Sequence, residues 1–200
     1  MNRSSFVRPA SLVALVIVAL TLPQCKKTGG SNNGSSGNSG GYYLKFNLNG
    51  TPVDYESEAA AELNKVNSDG LYSAVLEAYK DFTIGSVTNE ITITLFSANP
   101  IATATYEDPH KADETNGSQV PQAEVFWEDS TATGYLTAGA LADSNGNIPI
   151  AGMVANAQVT ITELTSTDLK GTFSGTLYNS TNFTIVESIT DGEFYLKRTQ

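Results

Sequence analysis

The sequence predicts an all-β domain built as an antiparallel β-sandwich, with a closed or flattened β-barrel as the alternative, preceded by a signal peptide and a disordered linker. Three observations favour this fold. Apolar and polar residues alternate with a period of two over much of the chain beyond residue 42, as in half-buried strands. Asn-Gly and Asp-Gly dipeptides, which favour tight turns, separate these runs. Only 16% of the residues are charged while Thr, Ser, Gly and Asn are abundant, a composition that suits strands joined by many turns.

The first 24 residues are predicted to be a secretory signal. Arg3 and Arg8 make the start of the chain positive, and residues 10–22 form an apolar run. A membrane-spanning helix needs about 20 apolar residues, so this run is too short to span a bilayer and matches the apolar part of a signal peptide. Cys25, the only cysteine of the chain, follows closely, so the domain beyond it depends on core packing and not on disulfides.

The residues Leu22-Pro23-Gln24-Cys25 resemble the lipobox of bacterial lipoproteins, in which an apolar residue and two small residues precede the modified cysteine. Leu22 and Cys25 match this pattern, whereas Pro23 and Gln24 replace the small pair. The resemblance implies that residues 1–24 are removed and that Cys25 carries lipid, which anchors the protein to a membrane because several acyl chains bind a bilayer stably. The alternative is an ordinary signal peptide cut elsewhere, which leaves a free cysteine.

The same resemblance implies a location in the cell envelope, and we expect the outer membrane. Lipoproteins that reach its outer face often carry acidic residues after the cysteine, whereas Lys26 and Lys27 are basic here. The sequence therefore leaves the periplasmic and the surface face open.

Residues 25–41 are predicted to be the anchored cysteine and a flexible linker. In residues 26–41, every position after the first three is Gly, Ser or Asn, and such a composition cannot bury apolar surface. A Gly/Ser chain of this length spans roughly 20–25 Å, which holds the domain clear of the lipid and leaves it free to turn.

Residues 42–200 are predicted to form a single β-domain of about nine to eleven strands. The residues expected to face the core are Leu44, Phe46 and Leu48; Ile91, Ile93 and Leu95; Val159 and Ile161; Phe173, Gly175 and Leu177; and Phe194 and Leu196. The turns expected between strands are Asn49-Gly50, Asp69-Gly70, Asn116-Gly117, Asn145-Gly146 and Asp191-Gly192.

Two segments depart from simple alternation. Residues 57–66 are rich in helix formers and predict either a short helix or a polar edge strand, of which we favour the strand. Residues 106–121 are polar with few apolar anchors and predict a long loop, where binding residues often lie on β-scaffolds.

Two stretches near the end of the domain carry a family resemblance. Residues 159–177 (VTITELTSTDLKGTFSGTL) and 189–198 (ITDGEFYLKR) are similar to the C-terminal part of small envelope lipoproteins of the Bacteroidota. The resemblance implies an all-β envelope domain and carries no activity with it.

The charge of the chain argues against one class of partner. The formal net charge is −10 with 21 acidic residues, all beyond Cys25. Nucleic acid attracts clustered Lys and Arg, so no nucleic-acid partner is expected. No cofactor is expected either.

Catalytic and metal signatures are weak. His110 is the only histidine, and without a nucleophile motif we interpret it as a surface residue, so that no catalytic residue and no zinc site is predicted. Asp143, Asn145 and Asn147 place oxygen ligands at every second residue, as a calcium loop begins. Since Ile148 follows where such a loop needs Gly, a hairpin turn is the other interpretation.

Trp127 is the only tryptophan and a candidate platform for a sugar ring. On a strand it shares a face with Val125, while Phe126 shares the other face with Glu124 and Glu128. Trp127 is therefore either a core residue or a ligand-binding residue, and Phe126 with Glu128 are the remaining candidates on the acidic side.

The function expected from these observations is that of a lipid-anchored envelope protein with a non-catalytic domain that binds a glycan, a cation or a protein. The alternatives are a structural or assembly accessory of a larger envelope complex and, with less support, a hydrolase that uses paired carboxylates.

Overall fold

The structure is a computed structural model that describes residues 41–56, 60–66, 70–83, 86–109, 121–142 and 151–199. These residues form eleven β-strands and one short 3-10 helix, which confirms the all-β prediction. They are β1 (Tyr43–Leu48), β2 (Thr51–Glu56), β3 (Ala60–Val66), β4 (Tyr72–Thr83), β5 (Ser86–Ser97), β6 (Thr105–Glu107), β7 (Gln122–Glu128), β8 (Gly134–Thr137), the 3-10 helix (Gly139–Leu141), β9 (Gln158–Leu164), β10 (Asp168–Asn179) and β11 (Val186–Thr199). The predicted signal peptide, the lipid-anchored Cys25 and the linker up to residue 40 lie outside the described residues. In the described part, no helix is long and apolar enough to cross a membrane.

Eight of the strands close into a barrel. Around the barrel the order is β11, β3, β4, β5, β7, β6, β9 and β10, which pairs again with β11. The pairs β3–β11 and β6–β7 run parallel, while the other neighbours are antiparallel. Of the two architectures left open by the sequence, the structure therefore shows the closed barrel. Period-two alternation fixes which side of a strand is buried, but it does not determine whether the two edges of a sheet meet.

The other three strands share edges with strands of the barrel. β1 pairs with residues 189–195 of β11, and β3 pairs with residues 197–199 on the same edge. β2 returns beside β1 as a hairpin. β8 pairs with both β7 and β10. The pair of strands β6 and β9 connects the same two strands beside it, because β6 pairs with β7 and β9 pairs with β10.

The interior of the barrel is filled by side chains from alternate positions, as in other barrels of this size. The predicted inward residues are buried, with Leu48 packed against the core and partly exposed. The fully buried large side chains include Leu44, Tyr55, Ile93, Leu177 and Phe194. The described core residues are thus closely packed, and the candidate site lies on the outer surface.

The hairpin turn between β1 and β2 has the predicted form. Asn49 and Gly50 have φ values of 49° and 81°, which are the positive values that a two-residue turn of this kind requires. The segment predicted as strand or helix is a strand over Ala60–Val66.

The structure corrects two local predictions. Tyr106 was expected in a loop, but it lies in β6 with 1% of its surface exposed, and its hydroxyl donates a hydrogen bond to the Ala102 carbonyl at 3.0 Å. Asp191-Gly192 was expected as a turn, but it lies within β11. The ladder with β10 shifts register there, and Asp191 takes a φ of 52°, so the pair forms a β-bulge.

Candidate functional site

The outward side chains of β1, β11, β10, β9 and β6 form a continuous surface, here called the polar face. Cross-strand pairing arranges them in three rows that run across the strands. The first row is Tyr43, Tyr195, Lys170 and Glu163, and the second is Lys45, Glu193, Thr172, Thr160 and Thr105. The third row is Ser174, Gln158 and Glu107. Beside it the register of β11 shifts, so that Asn47 pairs with Thr190 and contacts Asp191 through a side-chain hydrogen bond. Neighbouring strands lie about 4.8 Å apart, so each row offers a polar group at that spacing.

A shallow groove of about 330 Å³ lies in the second and third rows. Its walls are hydroxyl, amide and carboxylate side chains, and its floor is backbone and ring atoms of the bulge region. The lining residues are Gln158, Thr160, Thr172, Phe173, Ser174, Asp191, Gly192 and Glu193. The bulge of β11 borders this groove, and Gly192 packs directly on Phe173 there.

Both carboxylates of the groove have a partner on β1. Asn47 Nδ2 donates a hydrogen bond to Asp191 Oδ2 at 2.9 Å, and Lys45 Nζ lies 3.0 Å from Glu193 Oε2. Both contacts are exposed, so a ligand with hydroxyl groups can compete for either carboxylate.

Three tyrosines lie at one side of the groove and are called here the tyrosine cluster: Tyr42, Tyr43 and Tyr195. The ring centres of Tyr42 and Tyr195 are 5.0 Å apart, and those of Tyr43 and Tyr195 are 6.3 Å apart. The Tyr42 hydroxyl donates a hydrogen bond to Asp168 Oδ1 at 2.8 Å. Hydrogen bonds from Thr167 and Tyr42 lower the pKa of Asp168, so this carboxylate stays charged and holds the cluster in place.

Two lysines lie over the rings of this cluster. Lys45 Nζ is 5.1 Å from the centre of the Tyr43 ring, and Lys170 Nζ is 5.0 Å from that of Tyr195. Lys170 also forms an ion pair with Glu163 at 2.8 Å. Exposed pairs of this kind contribute about 0–1 kcal/mol, so the ammonium groups can exchange partners at little cost.

A different surface lies across the barrel, on the outer side of β4, β5 and β7. It is called here the acidic face and consists of Glu77, Glu90, Glu124 and Glu128. Glu90 and Glu128 are direct cross-strand partners, an arrangement that is unfavourable for like charges. Among the ion pairs of the described residues, none joins these four carboxyls to a lysine or arginine.

Burial dominates the electrostatics of the acidic face. Burial and the charges of Glu128 and Glu77 raise the pKa of Glu90 to about 7. Burial and the charge of Asp108 raise the pKa of Glu124 to about 7. Both can hold a proton near neutral pH, as a general acid must, but the described residues of this face include no group of three metal-ligating side chains.

The residues singled out from the sequence around Trp127 lie on both sides of β7. Trp127 is 8% exposed and packs on Tyr135 with ring centres 5.1 Å apart. Its indole N–H donates to the Tyr55 hydroxyl at 3.2 Å, which in turn donates to Asn89 Oδ1. Trp127 is thus a core residue in this structure. Phe126 and Glu128 are half-buried on the opposite side of the strand, as the alternation predicted.

Other candidates cannot be placed. His110, the predicted calcium ligands Asp143, Asn145 and Asn147, and the lipidation residue Cys25 lie outside the described residues.

The sequence did not single out the polar face. Its threonines, serines and carboxylates look like ordinary outward residues of exposed strands. β1 becomes part of this face only by pairing with β11, for example Tyr43 with Tyr195, and the local sequence does not predict that pairing. A usable signal was present in the first row, where Tyr43 and Tyr195 are aromatic residues at polar positions of the alternation.

Compared with known proteins, the chain matches no family model, no curated protein and no solved structure.

Proposed function

We propose that this protein is a lipid-anchored cell-envelope protein whose barrel is a non-catalytic binding module for a glycan. The groove on the polar face carries the proposal. It combines hydroxyl, amide and carboxylate groups, which hydrogen-bond the hydroxyls of a sugar in both directions, with a cluster of half-buried tyrosine rings beside it. Sites for small ligands typically pair a few fixed polar groups with aromatic surface in this way.

The cell-envelope part of the proposal is supported by the sequence alone. The lipobox-like residues before Cys25 and the Gly/Ser/Asn-rich linker up to residue 41 suit an anchored domain that must move relative to a membrane.

The surface favours a small ligand over a docked protein. Among the described residues, the large apolar side chains that are exposed are Val154, Ile185 and Val186. A protein interface usually has a larger apolar patch at its centre, and the polar face has none. A role as an assembly accessory therefore has less support.

The experiment is a thermal-shift screen of the full chain in detergent against a panel of soluble oligosaccharides. A ligand at a hundred times its Kd adds about 2.7 kcal/mol to the free energy of unfolding, which raises Tm by roughly 5–10 °C for a domain of this size.

Two groove variants and one matched control locate the site. Thr172→Val removes a groove hydroxyl at constant shape, and Asp191→Asn removes a charge but keeps a residue that tolerates positive φ. We expect each to weaken binding about five- to tenfold, as the loss of one hydrogen bond of about 1 kcal/mol or slightly more implies. Thr92→Val, on the outer side of β5, should leave the Kd unchanged. A panel without any shift, or equal loss in the control, contradicts the proposal.

A further inference from the structure

We propose that the glycan bound in the groove carries a free amino group, and that the ammonium of this group pairs with Asp191. This inference rests on the glycan site of the proposed function and adds the charge of the ligand to it. Three observations on the described residues carry it: the charges that line the groove, the balance of charge on the polar face, and the neutral partner of Asp191.

The charged side chains that line the groove are both acidic, namely Asp191 and Glu193, and the described lining includes no lysine or arginine. The other polar side chains of the lining are uncharged: Gln158, Thr160, Thr172 and Ser174. Hydroxyl and amide groups can bind the hydroxyls of any sugar, so the two carboxylates are the groups that select a glycan by its charge. A glycan with carboxylate or sulfate groups would be disfavoured, because like charges brought into contact oppose binding.

The surface around the groove has the same sign of charge. On the described strands of the polar face, five acidic side chains and three lysines point outward. The acids are Glu107, Glu163, Asp168, Asp191 and Glu193, and the lysines are Lys45, Lys170 and Lys197. The excess of negative charge attracts a cationic ligand and repels an anionic one.

Asp191 differs from Glu193 in the partner that it has. Glu193 pairs with the ammonium of Lys45 at 3.0 Å. Asp191 accepts a hydrogen bond from the neutral side-chain amide of Asn47 at 2.9 Å, and none of the ion pairs among the described residues includes Asp191. Its side chain is exposed and lines the groove. An ammonium there would form a charge-assisted hydrogen bond with Asp191, which is stronger than the bond from a neutral amide.

An ammonium on a sugar ring fits this groove better than a metal ion does. A calcium ion takes about six to eight oxygen ligands, and the described residues include no group of three His, Cys, Asp or Glu side chains that could hold a metal. An ammonium needs one carboxylate and leaves the ring hydroxyls free to bind Gln158, Thr160 and Thr172. The groove volume of about 330 Å³ is at the lower end of the range for small-ligand sites, about 300–1,000 Å³, which suits a short oligosaccharide.

The test compares short oligosaccharides that differ in charge. An oligomer of β-linked glucosamine carries ammonium groups, and its N-acetylated counterpart has the same rings and linkages without that charge. An oligomer of galacturonic acid of the same length supplies the opposite charge. Isothermal titration calorimetry of the full chain in detergent gives the Kd of each oligomer at low and at high salt.

We expect the glucosamine oligomer to bind about threefold more tightly than its N-acetylated counterpart, as one exposed ion pair implies, and salt to reduce this difference. Asp191→Asn should abolish the difference, whereas Lys45→Gln frees Glu193 and should increase it. Glu163→Gln is the matched control, because it removes an acid of the polar face outside the groove lining, and it should leave the difference unchanged.

The outcomes separate this inference from the glycan site on which it rests. Equal Kd values for the two glucosamine oligomers, tighter binding of the galacturonic acid oligomer, or an unchanged difference in Asp191→Asn overturn the inference and leave glycan binding in place. A chain that binds none of the three oligomers refutes the glycan site and the inference together.

Discussion

At the scale of single residues, the glutamates of the acidic face are partly buried close to other carboxylates, and both effects disfavour their charged form. Glu124 lies beside Asp108, whose carboxylate is fully buried and accepts a hydrogen bond from the Gly139 N–H at 3.3 Å. Glu124 lies in β7, so the backbone of this strand keeps its half-buried side chain close to Asp108. The folded protein therefore prefers Glu124 protonated, and this preference makes stability depend on pH.

The sign of that dependence follows from the pKa values. The pKa of Glu124 is about 7 in the folded protein against an ordinary value of 4.5, so folding takes up a proton between these values and the penalty for charging Glu124 is complete above about pH 7. Glu124→Gln removes this penalty. At pH 8 we expect it to raise the free energy of unfolding by on the order of 2 kcal/mol and Tm by about 4–8 °C, and at pH 4 to change little.

Thermal unfolding at pH 4 and pH 8 checks this expectation. Glu163→Gln is the control, because it removes an exposed carboxylate whose pair with Lys170 contributes less than about 1 kcal/mol. A Glu124→Gln variant with the same stability increment at both pH values would show that the burial of this carboxyl is not the cause.

At the scale of strands and turns, alternation was enough to predict local structure but not pairing. The runs around Leu44, Ile93, Val159 and Phe194 lie in strands with the predicted faces buried, because one-sided burial imposes a period of two on any strand. The closure of the barrel depends on contacts between distant segments, such as the hydrogen bond of Thr199 to the Ala61 carbonyl across 138 residues. No local pattern encodes such a contact.

The candidate site was missed for the same reason. Trp127 was chosen as a candidate because it is the only tryptophan. It is a core residue, however, and its N–H donates a hydrogen bond to Tyr55, which lies on a strand far away in sequence. The groove instead depends on the bulge at Asp191-Gly192, which resembles a turn dipeptide when pairing is unknown. Its lining comes from β9, β10 and β11, whose registers must be known before their polar groups can be placed side by side.

The bulge supplies a second prediction. A Cβ atom added at Gly192 would lie 2.6 Å from Phe173 Cδ1 and closer still to the Phe173 carbonyl oxygen, inside the range where something must shift. Gly192→Ala should therefore lower the free energy of unfolding by about 2–3 kcal/mol, toward the upper end of the usual cost of overpacking a core.

Gly50→Ala is the matched control. Gly50 has a φ of 81° with no atom within 4 Å of an added Cβ, so its cost is only backbone strain of about 1 kcal/mol. Urea unfolding of both variants gives the comparison, and equal costs would show that the close packing of Gly192 on Phe173 does not hold in solution.

At the scale of the whole molecule, β11 connects most of the fold. It pairs with β10 along most of its length, with β1 over residues 189–195 and with β3 over residues 197–199. Without it the barrel has two open edges, and the β1–β2 hairpin has no sheet to join, although an isolated hairpin is at best marginally stable in water.

Removal of residues 186–200 should therefore abolish cooperative unfolding and leave a chain without fixed aromatic side chains. Near-ultraviolet circular dichroism and urea titration measure both properties. A chain that lacks residues 1–41 is the control and should unfold as the full chain does, since the described pairings all lie beyond residue 41. A cooperative transition in the chain without β11 would show that β1 to β10 form a stable sheet by themselves.

The position of β11 as the last strand also limits the order in which the strands can pair during folding. β1 pairs with β11 at Tyr43 and Tyr195, and β3 pairs with β11 at Ala60 and Lys197, so neither early strand can form these pairs before β11 is available. Contacts this distant in sequence make folding slow. The barrel therefore cannot close until the eleventh strand is available, and until then the edges of the earlier strands stay unpaired, which is the state in which a chain is most prone to aggregate or to be bound by chaperones.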